Sequence, residues 1–377
     1  MSEVPSLGGG ARRPDVALFL PMLAVGGAER VALNLAAEFG RMGLVVDLVL
    51  VRAEGPLMTA VPPGARVVDL GRSRMAAAAP ALLAYAWRWR PKVLLSTLEH
   101  ANVMALALAP LLPGVRVAIR EANTATEDTD RSSWRGRWVL AAMRALYPTA
   151  RRVIAVSDGV AEVLHTNLGV RRDRIHVIPN PVVTPEMLDA AREKPGHPWF
   201  GDGGPPIVLA AGRLVRQKGF ATLLEAFALA RQRTPCRLII LGEGPLRGEL
   251  ESAAGRLGVE DAVALPGFAP NPFAAMARAG VFVLSSEWEG LPNVLIQAMA
   301  VGAKVVATDC PSGPREILEG GRLGRLVPVG DAPTMAQAIA EVLEGAHADV
   351  SDAWTERYRS ANVARTYAEA LGLEVTA

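Results

Sequence analysis

The chain has 377 residues, of which 50% are hydrophobic and 21% are charged, a composition typical of a globular protein large enough for two domains. Its two cysteines, Cys236 and Cys310, exclude a disulfide framework and a cysteine-based zinc site, and they favour a reducing cytoplasm. No apolar run reaches the roughly 18 residues that a transmembrane helix needs. Residues 1–14 lack an apolar core, so we expect a flexible tail rather than a signal peptide.

The net charge of +2 is unevenly distributed along the chain. Residues 1–180 contain 22 Lys and Arg against 15 Asp and Glu, a balance of +7, whereas residues 181–377 have a balance of −5. A basic first half indicates an anionic partner, such as a phospholipid, a lipid-linked phosphate or a nucleic acid.

From Val16 onward, short apolar segments alternate with amphipathic ones, which predicts an α/β fold with doubly wound parallel sheets. Residues 15–180 are predicted to form the first domain, and residues 181–205, interrupted by prolines and glycines, a linker. The predicted strands of this domain are Val16–Leu20, Val45–Val51, Val67–Leu70, Val93–Leu95, Val115–Ile119, Val153–Val156 and Ile175–Ile178.

Two strand ends in this domain have polar or glycine-rich character. Gly26-Gly27 follows the first strand and opens a helix, which makes a turn rich in N–H groups; its alternative role is tight helix–strand packing. The fifth strand leads to Arg120-Glu-Ala-Asn123 at the carboxyl edge of the predicted sheet. Asp128-Thr-Asp130 follows no apolar strand, and we interpret it as a solvated acidic loop. The five scattered histidines predict no metal site either.

The second domain, predicted over residues 206–350, has two further strand ends of this kind. Strand Ile207–Ala211 leads to a loop that contains Arg213 and Lys218, whose fixed charges could neutralise a diphosphate. Strand Val281–Leu284 leads to the turn Glu289-Gly290-Leu291-Pro292-Asn293 and then to a helix. A helix start at the carboxyl end of a parallel strand is a place that can hold phosphate.

These segments resemble the signature motifs of retaining nucleotide-sugar glycosyltransferases with the GT-B fold (family four, group 1 type). Gly212-Arg213-Leu-Val-Arg-Gln-Lys218-Gly219 matches the family pattern Gly-Arg-x-x-x-x-Lys-Gly in full. Glu289-Gly-Leu-Pro-Asn-Val-Leu-Ile-Gln297-Ala-Met-Ala matches the pattern Glu-Gly-(Phe/Leu)-Pro-x-x-x-x-Glu-Ala-Met-Ala, except that Gln297 replaces the second Glu. A glutamine can still hydrogen-bond a ribose diol, but without charge assistance.

The resemblance implies two Rossmann-like domains facing across a cleft, with residues 351–377 forming a helix that crosses back to the first domain. It implies catalytic roles for Glu289 beside the transferred sugar and for Arg213 and Lys218 on the departing diphosphate. On the acceptor side we expect Arg120 and Asn123. The donor-binding residues that it implies are Gly26, Gly27, Gly212, Gly242, Gly267, Phe268, Gly290, Leu291, Pro292, Asn293, Val294 and Gln297.

Residues 131–157 contain six arginines and no acidic residue. On a helix, Trp134 and Trp138 lie opposite the apolar side, among the arginines, which suits a membrane interface. The alternative is a solvated basic face whose tryptophans pack on a neighbouring element. The arginines of this run are Arg131, Arg135, Arg137, Arg144, Arg151 and Arg152.

The resemblance thus implies a metal-independent, retaining transfer of a hexose or N-acetylhexosamine from a nucleotide diphosphate sugar, with UDP as the expected nucleotide. The expected acceptor is lipid-linked or a polysaccharide in bacterial cell-surface glycan synthesis (lipopolysaccharide, capsule or exopolysaccharide). We expect a cytoplasmic protein at the inner face of the membrane, with no cofactor and no nucleic-acid partner. Gln297 leaves open a non-catalytic nucleotide-sugar-binding protein, and the fold leaves open an epimerase.

Overall fold

The structure is a computed structural model that describes residues 12–24, 26–123, 134–201, 203–346 and 348–374, without the side chain of Arg135. The chain divides into two compact units. The first comprises residues 1–156, 161–178 and 363–377, and the second comprises residues 157–160 and 179–362. Most of the predicted tail and the whole of Asp128-Thr-Asp130 lie outside the described residues.

The first unit contains a parallel sheet with the strand order β3-β2-β1-β4-β5-β6-β7. The order reverses direction between β1 and β4, as in doubly wound Rossmann-like folds. Its strands are near-continuous apolar runs because helices cover both faces of a parallel sheet. The strands are β1 (Val16–Leu20), β2 (Val46–Leu50), β3 (Arg66–Asp69), β4 (Val93–Thr97), β5 (Arg116–Glu121), β6 (Val153–Ala155) and β7 (Ile175–Val177).

The helices that connect these strands bury one apolar side each. The α1 helix packs Val31, Leu35 and Phe39 inward at i, i+4 and i+8, and its last turn carries Arg41, a residue that complements the helix dipole. The helices are α1 (Gly27–Arg41), α2 (Ala79–Trp89), α3 (Glu99–Leu108), α4 (Trp134–Leu146) and α5 (Asp158–Thr166), of which residues 158–160 group with the second unit.

The second unit repeats the same topology with the strand order β10-β9-β8-β11-β12-β13. Its core contains Phe220 and Phe227 from the helix after β8, Ile240 from β9, and Met335 and Ile339 from a later helix. The strands are β8 (Ile207–Ala211), β9 (Arg237–Leu241), β10 (Val263–Gly267), β11 (Val281–Leu284), β12 (Val305–Thr308) and β13 (Arg325–Val327).

Helices of the second unit include one inside the predicted linker, since residues 179–205 group with this unit and contain α6. Pro185 stands at the first position of that helix and Thr184 caps it, so proline here starts a helix instead of preventing one. The helices are α6 (Pro185–Ala190), α7 (Phe220–Arg231), α8 (Arg247–Arg256), α9 (Pro272–Met276), α10 (Asn293–Ala300), α11 (Pro314–Ile317), α12 (Ala332–Leu343) and α13 (Asp352–Tyr358).

The carboxyl-terminal segment is not one continuous helix, whereas the resemblance implied a single helix within residues 351–377. It is broken at Arg359, whose backbone pairs with Val183, and α14 (Ser360–Leu371) follows. From residue 363 onward this helix groups with the first unit. The two-domain, parallel α/β fold that the sequence predicts is confirmed. None of the described helices combines the length and the apolar character that crossing a bilayer requires.

Arg120 ties α14 to the first sheet. The observed β5 strand is two residues longer than predicted at its end, so Arg120 lies within it and is only 2% exposed. Its Nη1 donates to Thr97 Oγ1 at 2.9 Å and its Nε donates to the Tyr367 hydroxyl at 3.1 Å. Arg120 is therefore a buried structural residue in this fold, and its side chain offers no surface for the predicted acceptor-side contact.

Replacing Tyr367 with Phe is expected to destabilise the protein, because the buried Nε–H of Arg120 loses this acceptor. The cost of an unmade bond to a charged group is about 1.5–3 kcal/mol. Thermal unfolding measures it, with roughly 2–4 °C of Tm for each kcal/mol in a domain of this size. Tyr358→Phe is the matched control, since Tyr358 is buried and its hydroxyl has no hydrogen bond to the described residues. Equal Tm losses in both variants would contradict the assigned role.

Candidate functional site

The centre of the second sheet brings the two strongest motifs together. The β8 and β11 strands are neighbours, and the strand order runs outward from them in opposite directions. In open α/β sheets, the crevice at the carboxyl ends of two such strands is where ligands bind. The Arg213–Gly219 loop follows β8 and the Glu289–Asn293 turn follows β11, so both motifs lie at this switch point.

A short ion pair joins the motifs. Lys218 Nζ lies 2.6 Å from Glu289 Oε1, and the Ser286 hydroxyl donates to the same carboxylate oxygen at 2.6 Å. The side chains of Lys218 and Glu289 are 18% and 6% exposed. The second oxygen, Oε2, makes no hydrogen bond to the described residues. One oxygen of the carboxylate is therefore held fixed, while the other keeps its capacity to accept a hydrogen bond.

The two loops are fastened to each other by backbone contacts. Gln217 Nε2 donates to the Trp288 carbonyl at 3.0 Å, and the Gln217 carbonyl accepts from Glu287 N at 2.7 Å. Gly219 has φ +60°, and a Cβ there would overlap the Ser285 carbonyl oxygen. Glycine at this position permits both the left-handed conformation and the close approach. These contacts fix the distance between Lys218 and Glu289.

Arg213 and Gln297 lie at the same carboxyl edge of the second sheet, and their side chains have fewer polar contacts than those of Lys218 and Glu289. Arg213 is exposed, and it makes no ion pair or side-chain hydrogen bond to the part of the chain that the structure describes. Gln297 is half-buried on α10, and its side-chain amide makes no hydrogen bond to the described residues. Both side chains thus retain hydrogen-bonding capacity for a polar ligand at the sheet edge that carries the ion pair.

The turn after Glu289 presents free backbone donors. The α10 helix starts at Asn293, one residue before the predicted Val294, and Pro292 is its N-cap. No described acceptor receives a hydrogen bond from the N–H groups of Leu291, Asn293 and Val294. The first N–H groups of a helix have no partner within it and attract anions. The predicted turn therefore has the donors that phosphate binding requires.

The other predicted glycines of this unit allow close contacts. A Cβ on Gly242, which has φ +139°, would overlap the Gly212 carbonyl oxygen, and Gly212 itself lies against the aliphatic stem of Lys218. Gly267 has φ +89° and lies beside the Glu243 carboxylate, and the neighbouring Phe268 is 57% exposed. Gly242 thus holds the β8 and β9 ends together, and Phe268 presents an aromatic face at the end of β10.

In the first unit, Gly26 precedes α1 and Gly27 begins it. A Cβ on Gly26 would overlap the Glu29 carboxylate, which folds back over the helix start and is buried. The missing side chain of Gly26 therefore makes room for Glu29, a residue to which the sequence analysis gave no role. Asn123 is half-buried just beyond β5.

Glu121, the last residue of β5, is a buried carboxylate that the sequence analysis also missed. Its Oε2 accepts from the Tyr147 hydroxyl at 2.8 Å. Burial and then the charge of Glu99 raise the pKa of Glu121 to about 8, against the opposing effects of Tyr147 and Arg120. A run of polar residues at a strand end was visible in the sequence, but its burial was not.

Glu121→Gln is expected to stabilise the protein more at pH 8.5 than at pH 5. The folded-state pKa of about 8 lies above the ordinary 4.5, so folding favours the protonated form. Wild-type stability then falls as the pH rises between these values, because burying the ionised carboxylate costs free energy. Thermal unfolding at the two pH values measures the change, with Glu54→Gln at an exposed carboxylate as the control. A pH-independent difference in Tm would contradict the assignment.

Among the described residues, no group of three or more His, Cys, Asp and Glu side chains is placed to hold a metal ion. His100 is exposed in the first turn of α3.

Two Rossmann-like units, each built on a doubly wound parallel sheet, form the architecture of the GT-B glycosyltransferases. Residues 205–345 match the family model described as "Glycosyl transferases group 1". Residues 25–185 match the model described as "Glycosyltransferase Family 4". The two matches do not overlap and together span most of the chain. The chain belongs to the family 4, group 1 glycosyltransferases.

Curated relatives agree with this membership. The chain is 31% identical over 247 residues to the N-acetylgalactosamine-N,N'-diacetylbacillosaminyl-diphospho-undecaprenol 4-alpha-N-acetylgalactosaminyltransferase of Campylobacter jejuni, an alignment covering 66% of each protein. It is 35% identical over 192 residues to the lipopolysaccharide core biosynthesis glycosyltransferase LpsE of Rhizobium meliloti, covering 51% of this chain and 53% of LpsE. The chain thus spans about half to two thirds of the length of these relatives.

Solved structures support the fold. HepE from Anabaena, in complex with UDP and glucose, matches with a TM-score of 0.70 and 20% identity over 95% of both chains. At this identity, the likeness concerns the fold alone.

Proposed function

We propose that this protein is a retaining glycosyltransferase that moves a hexose or N-acetylhexosamine from a UDP sugar to a lipid-linked or polysaccharide acceptor in bacterial cell-surface glycan synthesis. The observation that carries the proposal is the Lys218–Glu289 pair, 2.6 Å apart at the switch point between β8 and β11. Beside it lie an exposed Arg213 and the N–H groups of the 291–294 turn. Cationic and N–H groups suit a diphosphate, and a carboxylate can accept hydrogen bonds from sugar hydroxyls.

In the proposed reaction, the bond between the anomeric carbon and the diphosphate oxygen breaks, and the acceptor hydroxyl attacks from the same face. The proton of that hydroxyl passes to the departing diphosphate oxygen, so the charges balance without a protein base. Arg213, Lys218 and the turn N–H groups stabilise the negative charge that develops on the diphosphate. Glu289 positions the sugar and stabilises the positive charge on it. No metal takes part in this proposal.

The names of the relatives support the donor and acceptor classes. The Campylobacter enzyme is named for transferring N-acetylgalactosamine to a diphospho-undecaprenol-linked glycan, and LpsE for lipopolysaccharide core biosynthesis. HepE was solved with UDP and glucose. UDP-N-acetylgalactosamine and UDP-glucose are therefore the first donors to test.

Arg213→Ala is expected to lower the transfer rate about 10²–10³-fold and to weaken UDP binding, because one donor to the leaving group is lost. The assay is sugar transfer from the UDP-sugar panel to an undecaprenyl-linked acceptor in excess EDTA, with UDP affinity from calorimetry. Arg216→Ala is the matched control, since Arg216 is an exposed arginine of the same loop that pairs with Glu287. NMR of the product anomer tests retention.

Three results would contradict this proposal. Wild-type UDP affinity in Arg213→Ala would remove the diphosphate role of Arg213. Activity that EDTA abolishes and Mn²⁺ or Mg²⁺ restores would contradict metal independence. UDP binding without any transfer or donor hydrolysis would favour a binding protein over an enzyme.

We further propose that the first unit docks on anionic membrane through α4. One stripe of this helix is exposed: Trp134 (61%), Arg137, Trp138 (70%), Ala141 and Arg144, spaced at i, i+3, i+4, i+7 and i+10. The opposite side is anchored by Met143, which is fully buried. Indoles and guanidinium groups on one face suit the interface between headgroups and acyl chains. Arg131 and the side chain of Arg135 lie outside the described residues.

Removing Arg137 and Arg144 is expected to weaken membrane binding. Each basic residue near an anionic surface contributes about 1 kcal/mol, so an Arg137/Arg144→Ala variant should bind roughly thirtyfold more weakly. Co-sedimentation with phosphatidylserine-containing vesicles measures the change, and binding should fall with added salt. Arg72/Arg74→Ala is the charge-matched control, because both arginines are exposed and neither belongs to α4.

Equal binding of the wild type to neutral and anionic vesicles would leave α4 a solvated face. A loss in the Arg72/Arg74→Ala control as large as that in Arg137/Arg144→Ala would indicate net charge rather than an α4 surface.

A further inference from the structure

The carbonyl of Gly290, directly after Glu289, is held by two serines that are far away in the sequence. Ser157 Oγ donates to Gly290 O at 2.9 Å, and Ser312 Oγ donates to it at 2.8 Å. The two hydroxyl oxygens lie 2.7 Å apart. Ser157 is 1% exposed. A carbonyl oxygen has two lone pairs and can accept both bonds.

The Gly290 carbonyl needs only one of the two serine hydroxyls as its donor. Ser157 Oγ also accepts from Val160 N at 3.3 Å, as the N-cap of α5. Each serine hydroxyl has one proton to donate. When the first serine donates to the hydroxyl of the second, the second still donates to Gly290 O. Either serine alone can still satisfy the carbonyl.

The backbone around the serines is shaped to bring them close. Glu316 accepts from Asp158 N at 3.0 Å and from Gly159 N at 3.1 Å, which fixes the start of α5. A Cβ on Gly159 would lie 2.7 Å from Ser312 Oγ. Ser312 itself has φ +70°, a conformation that non-glycine residues adopt at a cost. The hydrogen bonds of the Ser312 hydroxyl help to hold the residue in this conformation.

Fixing the Gly290 carbonyl also fixes the N–H of Leu291. The two groups belong to one peptide unit, and in a trans peptide they point in opposite directions. With the carbonyl held on the serines, the Leu291 N–H is aimed away from them. That N–H has no described acceptor, and it belongs to the turn of free donors at the start of α10.

We propose that Ser157 and Ser312 are positioning residues of the donor site, which orient the Gly290–Leu291 peptide so that its N–H meets the β-phosphate of the nucleotide sugar. The inference rests on the proposed function. It assigns the serines no contact with the substrate.

The test compares UDP with UMP, which lacks the β-phosphate, as calorimetric probes of Ser157→Ala, Ser312→Ala and the double variant. Each single variant keeps one hydroxyl on Gly290 O and is expected to bind UDP nearly as the wild type does. The double variant is expected to bind UDP about ten- to hundredfold more weakly, since a hydrogen bond to a charged group is lost or misdirected. UMP affinity should not change. A loss in the double variant larger than the sum of the singles is the mark of the shared acceptor.

Ser351→Ala is the control, because it removes the same kind of cap from α13, where Ser351 Oγ accepts from Trp354 N at 3.3 Å. If the double variant unfolds, Ser157→Ala with Ser312→Gly replaces it, since glycine suits φ +70°. Wild-type UDP affinity in the double variant would overturn the inference, as would equal losses for UDP and UMP. A wild-type protein that does not bind UDP would overturn the proposed function and, with it, this role for the serines.

Discussion

The contact between Lys218 and Glu289 is the constraint on which the rest of the site depends. Two opposite charges largely removed from water are tolerated only when their geometry is good, and removing one partner of such a pair typically costs about 3–5 kcal/mol. The geometry here comes from two loops that follow neighbouring strands. A hydrogen bond from Gln217 to Trp288 joins the loops, and Gly219, which has no side chain, permits their close approach. Under the proposed function, the ammonium and carboxylate groups are thus already in place before the donor binds, which spares reorganisation during the reaction.

Much of this arrangement was predictable from the sequence because buried parallel strands are continuous apolar runs. The bounds of β1, β8 and β11 are those that the sequence predicts. Because β8 and β11 each end in a polar loop, the doubly wound topology brings Arg213, Lys218 and Glu289 to one edge of the sheet. Strand ends were less accurate where a polar residue continues a strand, as Arg120 does in β5.

The contacts that the sequence could not predict join residues more than a hundred positions apart. Ser157 and Ser312 are ordinary loop serines in the sequence, and no periodicity relates Arg120 to Tyr367.

The proline-rich segment after Asn180 was interpreted as a linker, but Thr184 and Pro185 together form a helix start, a local signal that outweighs composition. Hydrogen bonds between distant residues, such as those of Ser157 with Ser312 and of Arg120 with Tyr367, follow instead from the fold and have no sequence pattern of their own.

Gln297 has a physical consequence under the proposed function. A second carboxylate at this position would add negative charge to a crevice that receives a diphosphate, next to Glu289. A neutral amide removes that repulsion, while losing the charge-assisted bond that a carboxylate makes to ribose hydroxyls. Because Glu289 is already paired with Lys218, Arg213 is the cation of this crevice that no described acidic group neutralises. With glutamine at 297, the positive charge of Arg213 therefore acts on the diphosphate without a competing carboxylate from α10.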